Sequence, residues 1–266
     1  MNNLYLTSFS NVAYLVLLGV APSIVWLWYF LRKDDNPEPK KMILKVFVFG
    51  FFSTFVAFTL EWALIKAVTD WKLACLHCES AIPYFPQTWG ATWAALLFSF
   101  AVLASLAFIE EWVKYIAAKA QIIRSAYFDE PVDAMIYLIV AALGFAAAEN
   151  IGYVFQNADW AVAIAYFRFL SSTFLHVLAS AIIGYFFALS LIWRRNHLPY
   201  LAVGVVLATA LHAVFNFLII TSDGEHSKVS SLALLMIGSF AFVSYLFSRV
   251  KKLTFQNATI PSSHAQ

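Results

Sequence analysis

The sequence predicts an all-α polytopic membrane protein, a bundle of about seven transmembrane helices, on three observations. Of its 266 residues, 62% are hydrophobic and only 12% are charged, about half the charged share of an ordinary soluble domain. The apolar residues fall into uncharged runs of about 20, the length that crosses a bilayer as a helix. Those runs are continuous and lack the alternation of a barrel strand. The 26 Phe and 9 Trp suit lipid contact and interfacial belts. This composition excludes a soluble globular enzyme and a disordered chain. A net charge of +2 is too small to steer the chain toward polyanions, so no nucleic-acid partner is expected. Two Cys cannot supply a disulfide framework.

The first span is expected over 12–31. No basic region precedes it and positive charge follows it, so it reads as an anchored span and not as a cleaved signal. A connector, Asp34-Asp35-Asn36-Pro37-Glu38-Pro39, carries turn-forming residues and leads to a second span over 42–65. The third run, 90–118, exceeds one simple crossing. Asp129-Glu130-Pro131 has the chemistry of a helix start, and the fourth span follows over 132–155. Arg168 interrupts the long run from Trp160 to Trp193. Residues 160–171 therefore read as an interfacial or re-entrant piece before a fifth span over 172–193. The sixth and seventh are expected over 199–220 and 229–248. Residues 1–252 form one membrane domain, and 253–266 a polar tail.

Basic residues set the direction. Arg32, Lys33, Lys40, Lys41 and Lys45 lie between spans one and two, Lys119 and Arg124 between three and four, and Arg194 and Arg195 between five and six. Arg249, Lys251 and Lys252 follow the seventh. The opposite loops hold only Lys66, Lys72 and Lys228. The N-terminus is accordingly expected outside and the C-terminus inside.

Eight ionisable residues fall within or beside the apolar runs: Glu61, Glu110, Glu111, Lys114, Glu149, Arg168, His176 and His212. Each charge at the bilayer centre costs about 2.5–3.5 kcal/mol on insertion scales, which makes such residues functional candidates. Glu110 and Lys114, four apart, share a helix face and can pair. Phe145 and Glu149 share a stripe, as do His212 and Asn216. Arg168, Ser172 and His176 line up if that stretch is one continuous helix. Simpler readings compete. Arg168 is better read as a snorkelling interfacial cation, and Glu61 as a solvated or paired group at a span edge. His176 alone could be a packing histidine, and His212–Asn216 an interhelical link.

Together the set supports water activation in a partly dry cavity. Neighbouring carboxylates and burial make a Glu a competent general base, and a His or Asn216 can donate to an oxyanion. Amide hydrolysis is the matching reaction class. No Gly-x-Ser-x-Gly and no His-Glu-x-x-His occurs, so neither a serine elbow nor zincin spacing is present. Zinc held by residues from separate helices stays open, with Glu111, His176 and His212 as the alternative ligands. Cys75-Leu-His77-Cys78 lies in an outer loop, as a loop disulfide or as free thiols. Buried charge also marks proton-coupled transporters and channels, although no inverted repeat is visible. A non-catalytic partner-binding protein is a third reading.

The ordered set Glu110-Glu111-Trp-Val-Lys114, Asp133 with Tyr137, Gly144-Phe-Ala-Ala-Ala-Glu149-Asn150, His176 and His212-x-x-x-Asn216 resembles the PrsW family. Pro37-Glu38-Pro39 fits the same pattern. The family is related to the type II CAAX prenyl endopeptidases and the bacteriocin-immunity-type membrane proteases. The resemblance spans about residues 10–220. It implies an intramembrane endopeptidase of the bacterial cytoplasmic membrane, acting on a membrane-anchored, anti-sigma-factor-like protein. Within that protease reading a metal-free glutamate mechanism is the expectation, with zinc as the alternative. Glu110 would activate water, Glu111 would support it, and His176, His212 and Asn216 would complete the site. Lys114, Glu149, Asn150, Arg168 and Asp133 would assist. Where the CAAX enzymes carry Phe-x-x-x-His, this chain has Phe145-x-x-x-Glu149.

Depth follows from helix rise. Glu149 lies about 24 Å along span four from Asp133, and His212 about 20 Å along span six from Pro199. The site is expected between the midplane and the outer leaflet. Gly and Ala across 143–148 suit a close approach by substrate backbone or, as the better reading, plain helix packing.

Overall fold

The computed structural model describes residues 9–74, 93–221 and 226–259, and the described residues are helices joined by short turns. Eight α-helices follow one another: α1 Phe9–Leu31, α2 Lys40–Ala74, α3 Trp93–Ile122, α4 Asp133–Gln156, α5 Ala161–Leu170, α6 Ser172–Ile192, α7 His197–Ile220 and α8 His226–Thr259. Seven stretches are long and apolar enough to cross a membrane, with α5 and α6 counted as one. The all-α bundle read from the sequence is therefore the fold. The segment with Cys75, His77 and Cys78 lies outside the described residues.

Local chemistry explains three of the boundaries. Asn196 caps α7, its side-chain oxygen accepting from the Leu198 amide at 3.1 Å. Pro199 then sits in the first turn, where its missing N–H costs nothing. At the start of α4, the Asp133 carboxylate reaches back to the amides of Asp129 and Glu130, at 3.0 and 2.7 Å. The long run after Trp160 breaks where Ser171 leaves helical geometry, with φ −114° and ψ −94°. α5 is thus a separate ten-residue piece, as expected. α8 continues past Lys252 to Thr259, so the beginning of the polar tail is helical.

Helices α4 and α6 form the centre, with most of their residues buried, whereas α1, α2, α3, α7 and α8 bury a third or fewer. α4 is wrapped by α1, α2, α3 and α6, and α6 by α4, α7 and α8. Lipid-facing helices keep large apolar groups outward, among them Phe52, Phe55, Phe58 and Trp62 on α2. The α2–α4 approach is unusually close. A Cβ on Gly50 would strike the Ala141 backbone, and one on Gly144 would strike the Phe47 carbonyl and the Phe51 nitrogen. Small residues permit such contact between membrane helices. Thr54 Oγ1 adds a bond to the Phe145 carbonyl at 3.2 Å.

The glycine stripe thus packs α2 against α4, and a contrast within α4 tests it. Gly144→Ala should lower the thermal unfolding midpoint in detergent, because overpacking typically costs about 1–3 kcal/mol. Gly152, where an added Cβ would meet nothing within 4 Å, should accept Ala with no loss, since Ala favours helix. Equal midpoints for the two variants would disprove the packing role.

Candidate active site

Four helices carry Glu110, Glu149, His176 and His212 to one level of the bundle. Counted from the end where the basic loops cluster, Glu110 lies twelve residues before the end of α3 and His176 sixteen before the end of α6. Glu149 lies sixteen after the start of α4, and His212 fifteen after the start of α7. At 1.5 Å per residue all four lie about 18–24 Å from that end. The surplus length of α3 lies on the far side of Glu110, which brings Glu110 level with the rest.

Glu111 and Lys114 form the floor, both 0% exposed. Lys114 Nζ donates to Glu111 Oε1 at 2.7 Å and lies 2.9 Å from His176 Nδ1. The i,i+4 partner expected from spacing, Glu110, is looser at 3.8 Å. The tight pair is i,i+3, because α3 turns Glu111 rather than Glu110 fully inward. Glu111 Oε1 also meets His212 Nδ1 at 2.8 Å, and Glu111 Oε2 accepts from Ser180 Oγ at 3.4 Å. Glu111 is therefore committed to holding other groups.

The arrangement fixes the imidazoles. A Lys114 ammonium donates to His176 Nδ1 only if that nitrogen lacks a proton, so the ring's proton belongs on Nε2. That nitrogen meets Glu149 Oε2 at 2.8 Å. His212 Nδ1 faces the Glu111 carboxylate and takes a proton there, and its Nε2 faces Glu110 Oε2 at 3.8 Å. The two rings meet edge to face, 5.2 Å apart. Phe145 packs edge-on to His176 at 5.5 Å and underlies Lys114 Nζ at 4.8 Å.

Glu110 Oε2 is the group left over. It is buried without a hydrogen-bond partner. Three nitrogens, Lys114 Nζ, His176 Nδ1 and His212 Nε2, each stand 3.8 Å from it. Side-chain exposure of 11% at Glu110 and 20% at Glu149 marks the open side of the site.

Arg168 corrects a sequence expectation. It is buried rather than snorkelling, and its Nη2 donates to Glu149 Oε2 at 3.0 Å. Its Nε donates to Asn150 Oδ1, and Asn150 Nδ2 donates to Thr173 Oγ1 at 2.9 Å. The break at Ser171 means that Arg168, Ser172 and His176 do not share one helical stripe. Arg168 reaches Glu149 from a separate helix instead. Glu61 is also corrected. α2 runs on to Ala74, so Glu61 is interior to its helix, and its carboxyl faces those of Glu110 and Glu149. Its Oε1 is buried without a partner. Asn216 stands one turn beyond His212, half-buried, outside the hydrogen bonds that organise the centre among the described residues. Asp133 does not join. It lies at the other end of α4, about 24 Å from Glu149. Sequence reasoning does not single out Ser180 and Thr173, although His176-x-x-x-Ser180 is itself a helical-stripe signal.

The donor set also differs from the expected one. Glu110, His176 and His212, not Glu111, offer one ligand atom each within 4.8 Å of one another. Two His and one Glu are a catalytic zinc set. Four carboxylates, Glu61, Glu110, Glu111 and Glu149, face two cations, Lys114 and Arg168, a formal excess of two negative charges. Donor type, convergence and charge thus fit a divalent metal once Lys114 gives up the His176 nitrogen, whose single lone pair cannot serve both.

A sequence profile of the PrsW family intramembrane metalloproteases matches residues 38–246. The Protease PrsW of Geobacillus kaustophilus is 29% identical over 223 residues, covering 83% of this chain and 87% of that protein. That of Clostridioides difficile is 27% identical over 209 residues, covering 77% and 79%. That of Bacillus subtilis is 26% identical over 208 residues, covering 77% and 82%. No solved structure matches. With its seven apolar spans and a profile match over most of its length, this multi-pass membrane protein belongs to the PrsW family of intramembrane proteases.

Proposed function

We propose that the protein cuts a peptide bond in or near a membrane-anchored, single-span substrate of the anti-sigma-factor kind, using water activated by Glu110. The observation that carries this is the unpartnered, buried Oε2 of Glu110 facing His212 Nε2. A water there donates to the Glu110 carboxylate and keeps a lone pair for the carbonyl carbon, with the His212 ring beside it. Glu110 takes the water proton as the oxygen adds and returns it to the amide nitrogen as the C–N bond breaks. Asn216 is the proposed donor to the oxyanion. Glu111 orients His212 through Nδ1, and Arg168 and His176 hold Glu149 at the open side. The basic loops support an N-terminus outside and a C-terminus in the cytoplasm, and with them a site in the outer half of a bacterial cytoplasmic membrane. A transmembrane substrate must be locally extended to be cut, because a helix keeps its carbonyls bonded.

A metal-dependent version is the second reading, favoured by the convergent donors and the excess negative charge. Glu110, His176 and His212 would hold the ion, which would supply Lewis acidity and a more acidic bound water. The first reading rests on Lys114 already occupying the His176 nitrogen. Purified protein stripped with a strong chelator should therefore keep its cleavage of a single-span reporter in proteoliposomes, with no stoichiometric metal by elemental analysis. Loss of cleavage restored by added zinc, with one metal per chain, would transfer the assignment to the metal reading.

A further inference from the structure

A second group of carboxylates gathers at the basic end of the bundle, far from the protease centre. Asp34 comes from the α1–α2 connector, Glu130 from the α3–α4 connector and Asp133 from the first turn of α4. One carboxylate oxygen from each lies within 4.8 Å of the others. Glu38 and Asp129 converge on Asp133 in the same way. Five acidic groups thus meet where three segments join.

The cluster contains an unsatisfied buried oxygen. Asp34 is 7% exposed. Its Oδ1 accepts from the Asn36 amide at 3.1 Å, but Oδ2 is shut away without a partner. Asp133 is 1% exposed, and its Oδ2 takes the two backbone amides already described. Nearby cations make their contacts with other groups, although the Lys251 charge also reaches Asp34. Lys251 Nζ binds Asp35 Oδ2 at 2.7 Å, Arg32 stacks over Trp28 and Lys33 over Tyr29. Tyr137 donates its hydroxyl to Glu38, which satisfies an oxygen without neutralising it. Burial lifts the carboxyls of Asp34 and Glu38 above their ordinary range.

We propose that Asp34, Glu130 and Asp133 form a structural site for a hard divalent cation, Mg²⁺ or Ca²⁺. An all-oxygen donor set of carboxylates selects such ions over zinc or copper. The ion would sit among the three carboxylates, supply the partner that Asp34 Oδ2 lacks, and pin two connectors to the start of α4, the central helix that carries Glu149 sixteen residues on. Its role is to anchor that helix; it takes no part in hydrolysis.

The test uses the full chain purified in detergent and treated with chelator, then titrated separately with Mg²⁺ and with Ca²⁺. Calorimetry should show one cation bound per chain, and the thermal midpoint should rise by about 5 °C at saturation. The ion giving the tighter titration is the one the site prefers. Asp34→Asn and the partly exposed Glu130→Gln should each abolish both signals, while Glu110→Gln should keep them. No binding or shift with either ion in the unmodified chain would overturn the proposal. So would an unchanged response in Glu130→Gln, which is placed to fold even if Asp34→Asn does not, or a response lost in Glu110→Gln.

Discussion

Glu110→Gln should lower the single-turnover cleavage rate of the reconstituted protein by about 10²–10⁴-fold, the usual contribution of a positioned general base, and leave its unfolding midpoint close to that of the unmodified chain. The two halves of the expectation have one cause. Glu110 Oε2 makes no hydrogen bond and stands 3.8 Å from three nitrogens, so the isosteric amide disturbs little packing. It does remove the only property the mechanism draws on, the capacity to take a proton. Glu111→Gln offers the contrast. That carboxylate holds Lys114, His212 and Ser180, so its loss should cost both folding stability and activity. Cleavage of a single-span reporter in proteoliposomes, followed beside a thermal melt, separates the two. A Glu110→Gln protein that cuts at the normal rate would remove Glu110 from the role of base.

The outline of the bundle was legible because span length and apolar continuity are local properties. The separate piece before α6 was legible for the same reason, since Arg168 breaks the apolar run. What neighbouring helices do to each other was harder to read. Spacing along α3 could pair Lys114 with Glu110, but only the rotation of α3 against α6 and α7 decides that Glu111 faces inward. Glu61 reads as an edge group because it lies near the end of the 42–65 run, yet α2 continues as helix to Ala74 and keeps Glu61 interior to it. Arg168 fits the composition of a snorkelling cation. Its burial depends on Glu149 and Asn150, which lie on another helix. Asp133 stands in the ordered set on which the resemblance was drawn, but sixteen residues of helix put it at the opposite end from Glu149. That ordered set of residues thus covers two places, the centre and the acidic cluster at the basic end, and only the fold divides them.

Lys114→Met should be the most destabilising single change in the centre, by about 3–5 kcal/mol, the cost of removing one partner from a buried ion pair. For a chain of this size that is a fall in unfolding midpoint of roughly 6–20 °C. Met matches the aliphatic stem and keeps the volume, so lost packing contributes little. The damage arises from Glu111, a carboxylate with no exposure that would keep only His212 and Ser180 as partners. His176 would lose its contact at Nδ1 as well. The double variant Lys114→Met/Glu111→Gln removes the stranded charge and should recover a large part of the loss, a coupling that a double-mutant cycle reads directly. If Lys114→Met melts with the unmodified chain, the ammonium is not what makes a buried Glu111 tolerable. If the double variant is no more stable than the single one, the loss comes from packing and not from the unpaired carboxylate.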